Sequence, residues 1–228
     1  MNFRVFDSGD ELTAGAARAI VDAIPRDRRS VVALSGGNTP KPIYAALGSE
    51  PLCRELESRE IIWVTGDERY VPQEDPASNS GMIRSTLFAY GVADRHSFLR
   101  FETESGDPPE VVRFFEEMWR SLKIERIDLA ILGMGDDGHT ASLFPGTTAL
   151  DVQDRIATEV WVPKFDMWRL TLTLPVLQHA AKRFILAAGS NKKDLIRRVE
   201  EGEPFPIRRA IEGEGETWWF VDKDAYPR

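Results

Sequence analysis

Apolar residues along this chain recur in two rhythms. Compact apolar runs stand at Ser30-Val-Val-Ala-Leu34, Glu60-Ile-Ile-Trp-Val64, Ile127-Asp-Leu-Ala-Ile-Leu132 and Phe184-Ile-Leu-Ala-Ala188. Such runs mark strands covered on both faces. Between them, apolar positions fall three and four residues apart. Leu12, Ala16, Ala19, Ile20, Ala23 and Ile24 form one such set, ending before Pro25; Ile43, Tyr44 and Leu47 form another, opened by Thr39-Pro40 and closed by Gly48. A third follows Ser78-Asn79 with Met82, Ile83 and Leu87 and has Gly91 as its stop; the fourth is Val111, Phe114, Phe115, Met118, Trp119 and Leu122. The spacing predicts amphipathic helices, with the aromatics of the fourth expected in the core. Further strands are predicted at Arg4–Phe6, Ala157–Val162, Trp168–Leu174 and Thr217–Val221, and a further helix over Asn191–Val199. Strands alternating with helices predict an α/β protein, a mostly parallel sheet with helices on both faces, as one domain over residues 1–228.

Composition narrows the function more than the fold. The 228 residues carry a formal charge of −8, with 29% charged and 42% hydrophobic positions. The basic residues are scattered, and the densest group, Arg26, Arg28 and Arg29, follows Pro25 in an expected turn, so nucleic acid is a poor partner. An anionic small molecule stays open, provided a local cationic pocket overcomes the acidic background. No stretch approaches the roughly 18 unbroken apolar residues of a membrane span. The start, Met1-Asn-Phe-Arg-Val-Phe6, lacks the pattern of a secretory leader, so a cytoplasmic protein is expected. Cys53 is the single cysteine. It excludes an intrachain disulfide and argues against thiolate metal chemistry. His96, His139 and His179 lack ligand spacing, so neither metal nor cofactor is expected; His96, after Asp94-Arg95 in a turn, and His179 read as structural or solvated. Oligomeric state is open between a monomer and a small homo-oligomer. Glu102–Pro109 is the expected mobile loop.

Four segments follow predicted strand ends, the edge where open α/β sheets bind ligands. Ser35-Gly36-Gly37-Asn38-Thr39-Pro40 offers close backbone approach and a helix start that attracts anions. It is neither a Walker A loop nor a dinucleotide fingerprint. Thr65-Gly66-Asp67-Glu68-Arg69-Tyr70 reads alone as a solvated turn, yet Arg69 is suited to fork onto phosphate oxygens. Gly133-Met-Gly-Asp-Asp-Gly-His139 places a carboxylate and an imidazole in a glycine-forced turn. Gly189-Ser-Asn-Lys192-Lys193 puts lysine in a first helical turn, which the macrodipole disfavours unless an anion binds there; Lys192 is the one expected to turn inward.

Taken together, Leu34–Pro40, Gly66–Pro72 with Ser78–Met82, Gly133–Gly146 and Arg169-Leu-Thr-Leu-Thr-Leu-Pro175 resemble the 6-phosphogluconolactonase family, in the family's order and essentially end to end. The resemblance implies a Rossmann-like sheet shared with glucosamine-6-phosphate deaminases and ribose-5-phosphate isomerases. It implies a sugar-phosphate substrate, no cofactor, and His139 as the catalytic residue. It assigns the substrate phosphate to Ser35, Gly36, Gly37, Asn38 and Thr39 with Arg69, Arg169 and Lys192, and places Asp67 and Asp137 at the sugar end. Asn38 stands where the family often has Ser, and Met167-Trp168 replace a proline-rich approach to Arg169. The residue types suit lactone opening. An imidazole, with an ordinary pKa of about 6.5, takes a proton from attacking water and returns it to the ring oxygen. Asp137 is a candidate for orienting the water or a sugar hydroxyl, and backbone N–H groups of the glycine-rich loops are the natural oxyanion donors. Two rivals are a deaminase or isomerase on the same fold and a non-catalytic sugar-phosphate-binding protein. Against the first, Thr140-Ala-Ser-Leu-Phe-Pro145 lacks the Asn-Glu-Pro that deaminases carry after Asp-Gly-His. Against the second, Asp137 and His139 are intact, and residues 1–30 leave no room for a DNA-binding module.

Overall fold

The computed structural model describes residues 1–89, 91 and 96–228. The turn expected at Asp94-Arg95 lies outside them. The elements run β1 (Asn2–Phe6), α1 (Gly9–Ala23), β2 (Ser30–Leu34), α2 (Pro40–Leu47), α3 (Leu52–Glu57), β3 (Ile61–Thr65), β4 (Asp67–Arg69), α4 (Asn79–Thr86) and β5 (Ser97–Leu99). They continue with α5 (Pro108–Ser121), β6 (Leu129–Gly133), β7 (Ala157–Val162), β8 (Met167–Leu172), α6 (Leu174–Gln178), β9 (Lys182–Ala187), α7 (Lys193–Glu200), α8 (Pro206–Ala210) and β10 (Glu216–Asp222).

Seven strands form a parallel sheet in the order β1-β10-β9-β6-β2-β3-β5. The predicted apolar runs are its interior. In β2, Val31 and Ala33 join the core under α5 and the small sheet described below, while Val32 and Leu34 join the core under α1 and α2. Alternate side chains of one strand thus feed two cores, which is why the run is apolar throughout. Local signals set the helix limits: the Ser8 side chain accepts from Glu11 N–H at the start of α1, and Asp107 and Glu110 form a reciprocal capping box on α5.

Three strands depart from the expected sheet. β7 and β8, with the short β4, make a separate antiparallel sheet in the order β4-β8-β7. The Thr65–Tyr70 segment is therefore a strand in its middle and not a loop, paired through Asp67↔Thr171 and Arg69↔Arg169. A second correction concerns α5, whose Val111, Phe115 and Trp119 are buried while Phe114 and Met118 stay exposed at 44% and 36%. The apolar stripe is wider than the face the sheet covers. Glu102–Pro109, expected to be mobile, is tied down by Thr103 Oγ1 donating to Val71 O, Gln73 N–H to Glu104, and Tyr70 Oη to Gly106 O. Among the described residues, no helix is long and apolar enough to cross a membrane.

One buried cation locks the sheet's lower edge. Arg183 on β9 is fully buried and donates to the carbonyls of Leu177, Gln178, Ala180, Gly213, Glu214 and Gly215 and to Thr217 Oγ1. Burial lowers its pKa. Because the guanidinium carries the acceptors of two loops, Arg183→Met is expected to cost about 3–5 kcal/mol, read as a lowered urea midpoint with an unchanged m-value.

Candidate active site

The chain leaves β2 toward β3 on one side, while β6 lies on the other, so the sheet's direction of winding reverses between β2 and β6. A cleft of about 490 Å³ opens there, at the C-terminal ends of β2, β6 and β9, and every predicted site residue except Asp137 lines it. In the loop after β2, the Ser35 backbone is pinned on both sides by Tyr44: its N–H donates to Tyr44 Oη at 3.1 Å, and that hydroxyl donates to Ser35 O at 3.0 Å. Gly36 passes so close to the α4 start that a Cβ there would lie 1.7 Å from Asn79 Oδ1. Among the described residues, the N–H groups of Gly36, Gly37 and Asn38 reach no protein acceptor.

The loop after β6 is built around His139. Gly135 N–H donates to His139 O, and Gly138, with φ of +76°, donates to Gly135 O. These two N–H groups are spent inside the turn, so they are not the oxyanion donors expected of this loop. The turn folds Asp137 back onto His139. Asp137 Oδ1 accepts from His139 N–H at 3.2 Å and stands 2.5 Å from His139 Nδ1. Facing a carboxylate, Nδ1 is the donor of that contact, and Nε2 has no protein partner among the described residues. Phe144 stacks on the imidazole, with centroids 4.0 Å apart. Lys164 Nζ donates to the other oxygen, Asp137 Oδ2, at 3.0 Å. Burial alone would push the Asp137 carboxyl up; the hydrogen bonds from His139 and Lys164 outweigh it and hold it at about 2. Both Asp137 carboxylate oxygens are thus held, Oδ1 by His139 and Oδ2 by Lys164, and Asp137 is not among the residues lining the cleft. Gly135 is obligatory here, because a Cβ would stand 2.0 Å from the His139 ring. Gly135→Ala is expected to displace the imidazole from Asp137, visible as a changed ¹⁵N shift at His139 Nδ1.

The opposite wall is cationic. Arg69 and Arg169 are register partners on β4 and β8, and both line the cleft. Among the described residues no carboxylate pairs with either. Arg69 Nη1 donates to Ala77 O, and the Arg169 guanidinium lies over the Phe165 ring at 5.1 Å. Arg169 is only 8% exposed, and its pKa is lowered by burial and then by the neighbouring charge of Arg69. Asp67 and Glu68 act on Arg169 only from a distance, partly offsetting this, and two adjacent like charges without an ion pair are the arrangement an anion relieves. Lys192, at the end of the turn preceding α7, also lines the cleft, but its Nζ is held by Asp136. That pair lowers the Asp136 carboxyl. Asp67 is buried and oriented by Ser142 Oγ, which donates to Oδ2 at 2.7 Å, and by Asn79 Nδ2 at 3.2 Å from Oδ1. Ser35 Oγ, Asn79 Oδ1, Thr140 Oγ1, Arg69 Nε and Arg169 Nε are buried without a protein partner, and all five residues line the cleft. Orphaned polar atoms are rare in protein interiors, and five around one cleft fit a polar, anionic ligand.

Residues 7–219 match the family described as glucosamine-6-phosphate isomerases/6-phosphogluconolactonase. The chain belongs to this family. A 6-phosphogluconolactonase of a Synechocystis strain is 36% identical over 215 residues, covering 90% of this chain and 87% of the relative. One from Haemophilus influenzae is 30% identical over 229 residues, covering 99% and 98%. Among solved structures, the 6-phosphogluconolactonase of Trypanosoma brucei superposes with a TM-score of 0.87 at 28% identity, covering 98% of this chain and 97% of that one.

Five contributors to the site carry no clear local signal in the sequence: Asn79, which reads only as a helix start, Asp136, Phe144, Lys164 and Phe165. The signals were weak: Asp136 meets Lys192 across 56 positions. Only the Asp136-Asp137 doublet hinted that two carboxylates share the turn.

Proposed function

We propose that the protein hydrolyses 6-phospho-D-glucono-1,5-lactone to 6-phosphogluconate, with His139 as general base. The observation that carries this reading is the pairing, in one cleft, of two arginines without carboxylate partners and an imidazole whose Nδ1 is committed to Asp137. The first suits a phosphate monoester, the second a water that must lose a proton. The 6-phosphogluconolactonases among its relatives support the same reaction.

The phosphate goes to Arg69 and Arg169, with the N–H groups of Gly36, Gly37 and Asn38 at the start of α2 and Lys192 completing the cradle. Arg169 supplies a buried and therefore strong charge, and Phe165 fixes its plane. The sugar hydroxyls meet Asp67 and Asn79, which are already hydrogen-bonded to each other and so pre-oriented. His139 Nε2 accepts a proton from water as its oxygen bonds to C1. The tetrahedral intermediate then collapses, the C1–ring-oxygen bond breaks, and the proton on Nε2 passes to the departing ring oxygen. Asp137 holds the tautomer and stabilises the imidazolium between the two transfers, as the buried carboxylate does in a serine-protease triad.

Deaminase-type chemistry needs a further acid beside the histidine. The carboxylates in the cleft wall are Asp67 and Asp136; the first is held by Ser142 and Asn79, the second by Lys192. The test is lactone disappearance followed by NMR with substrate generated in situ, against a protein-free blank, with ammonia release from glucosamine 6-phosphate assayed alongside. Accelerated lactone opening without ammonia release is the expected outcome.

A further inference from the structure

The tip of the β7–β8 hairpin reaches across the cleft mouth to the histidine's supporting carboxylate. Pro163–Phe165 forms a single 3-10 turn, closed by Asp166 in the left-handed region at φ of +49°. That tight turn sends Lys164 and Phe165 to neighbouring targets. Lys164 Nζ donates to Asp137 Oδ2 at 3.0 Å. Phe165 packs edge-on against Phe144 at 5.7 Å between centroids, and Phe144 is the ring stacked on His139. Arg169, the third residue of β8, lies over the Phe165 ring at 5.1 Å. Neither Lys164 nor Asp137 lines the cleft, although Phe165, next to Lys164 in sequence, and His139, the other partner of Asp137, both do.

A carboxylate bonded only through Oδ1 is free to rotate about its Cβ–Cγ axis and offer either oxygen. Here both oxygens are taken, Oδ1 by His139 and Oδ2 by Lys164. We propose that Lys164 is a positioning residue for the hydrolysis, gripping Asp137 from outside so that Oδ1 stays on His139 Nδ1 and Nε2 stays aimed into the cleft. The proposal rests on His139 being the base. The energy of the pair is small, because the lysine side chain is 54% exposed and exposed ion pairs contribute little to stability. Its consequence is orientation: fixing the carboxylate fixes the tautomer and the ring.

The experiment compares wild type with Lys164→Met, which keeps an unbranched side chain and removes the charge that meets Asp137 and lies over Phe165, and Lys164→Arg, which keeps the charge. Lys164→Met is expected to lower kcat about tenfold, a fraction of the roughly 10²–10⁴-fold that a general base supplies, with KM for the phosphorylated lactone within twofold. Lys164→Arg is expected to recover most of kcat. In an Asp137→Asn background, Lys164→Met is expected to change nothing further, since residues acting through one another are non-additive. Independently of turnover, ¹⁵N-resolved NMR of His139 is expected to show a single Nδ1–H tautomer in wild type and mixed tautomers in Lys164→Met. A raised KM with unchanged kcat would mean that Lys164 touches substrate and would overturn the positioning role. So would full additivity with Asp137→Asn, or an unchanged tautomer. If wild type lacks lactonase activity, the tautomer measurement still decides whether Lys164 holds the pair, so the two readings fail separately.

Discussion

His139→Gln is expected to lower kcat for 6-phosphogluconolactone by about 10²–10⁴-fold, the range that general-base catalysis supplies, while KM changes little. The loss is large because nothing else in the cleft wall is placed to take the proton. Asp67 has both carboxylate oxygens engaged by Ser142 and Asn79, and Asp136 is committed to Lys192. Glutamine can still donate an amide hydrogen toward Asp137 but cannot shuttle a proton. Its variant therefore separates protonation chemistry from packing against Phe144. A variant that keeps wild-type kcat would remove His139 from the mechanism. Steady-state rates corrected for spontaneous opening decide the matter, with Tm recorded to show that the fold is retained.

Arg169→Met is expected to lower kcat/KM for the phosphorylated lactone by about 10- to 100-fold, corresponding to the roughly 1.5–3 kcal/mol of a hydrogen bond to a charged group. Unphosphorylated gluconolactone is expected to be turned over unchanged. Methionine fills the space beside Phe165, so the contrast between the two substrates isolates the charge. The effect is sizeable because Arg169 is buried and, among the described residues, forms no ion pair. Lys192→Ala is expected to do less than Arg169→Met. Lys192 already has Asp136 as its partner, so substrate gains from it only the difference between one anion and another. Equal losses on both lactones would show that Arg169 supports the fold of the cleft and not the phosphate.

The parallel sheet was legible because its central strands β2, β3, β6 and β9 are buried on both faces, and that burial is written locally as apolar runs. The order of Ser35–Thr39, the Asp137–His139 turn and Lys192 along the chain also pointed to one edge, since each follows such a run. What stayed hidden depends on distant partners. Asp67–Arg69 is three polar and charged residues, and only pairing with β8, about a hundred positions later, makes it a strand. No local rule encodes that ladder, so the facing of Arg69 and Arg169 was out of reach even with both arginines identified. Arg183 was equally opaque: a charged residue at a strand start reads as exposed, whereas here two loops fold their carbonyls onto it. The reverse error touched α5, where Phe114 and Met118 keep the helical spacing of core residues yet lie beyond the width of the sheet. The contact of Asp137 with His139 is backbone geometry, set by Gly135 and the positive φ of Gly138, and spacing alone leaves it open.

The central claim is that this cleft opens a phosphorylated δ-lactone by base catalysis at His139. Its most direct measurement follows the lactone by NMR as it is generated in situ, with wild type, His139→Gln and a protein-free blank in parallel. The account predicts rapid disappearance with wild type and a rate near the blank with the variant. Disappearance with wild type no faster than the blank would contradict it.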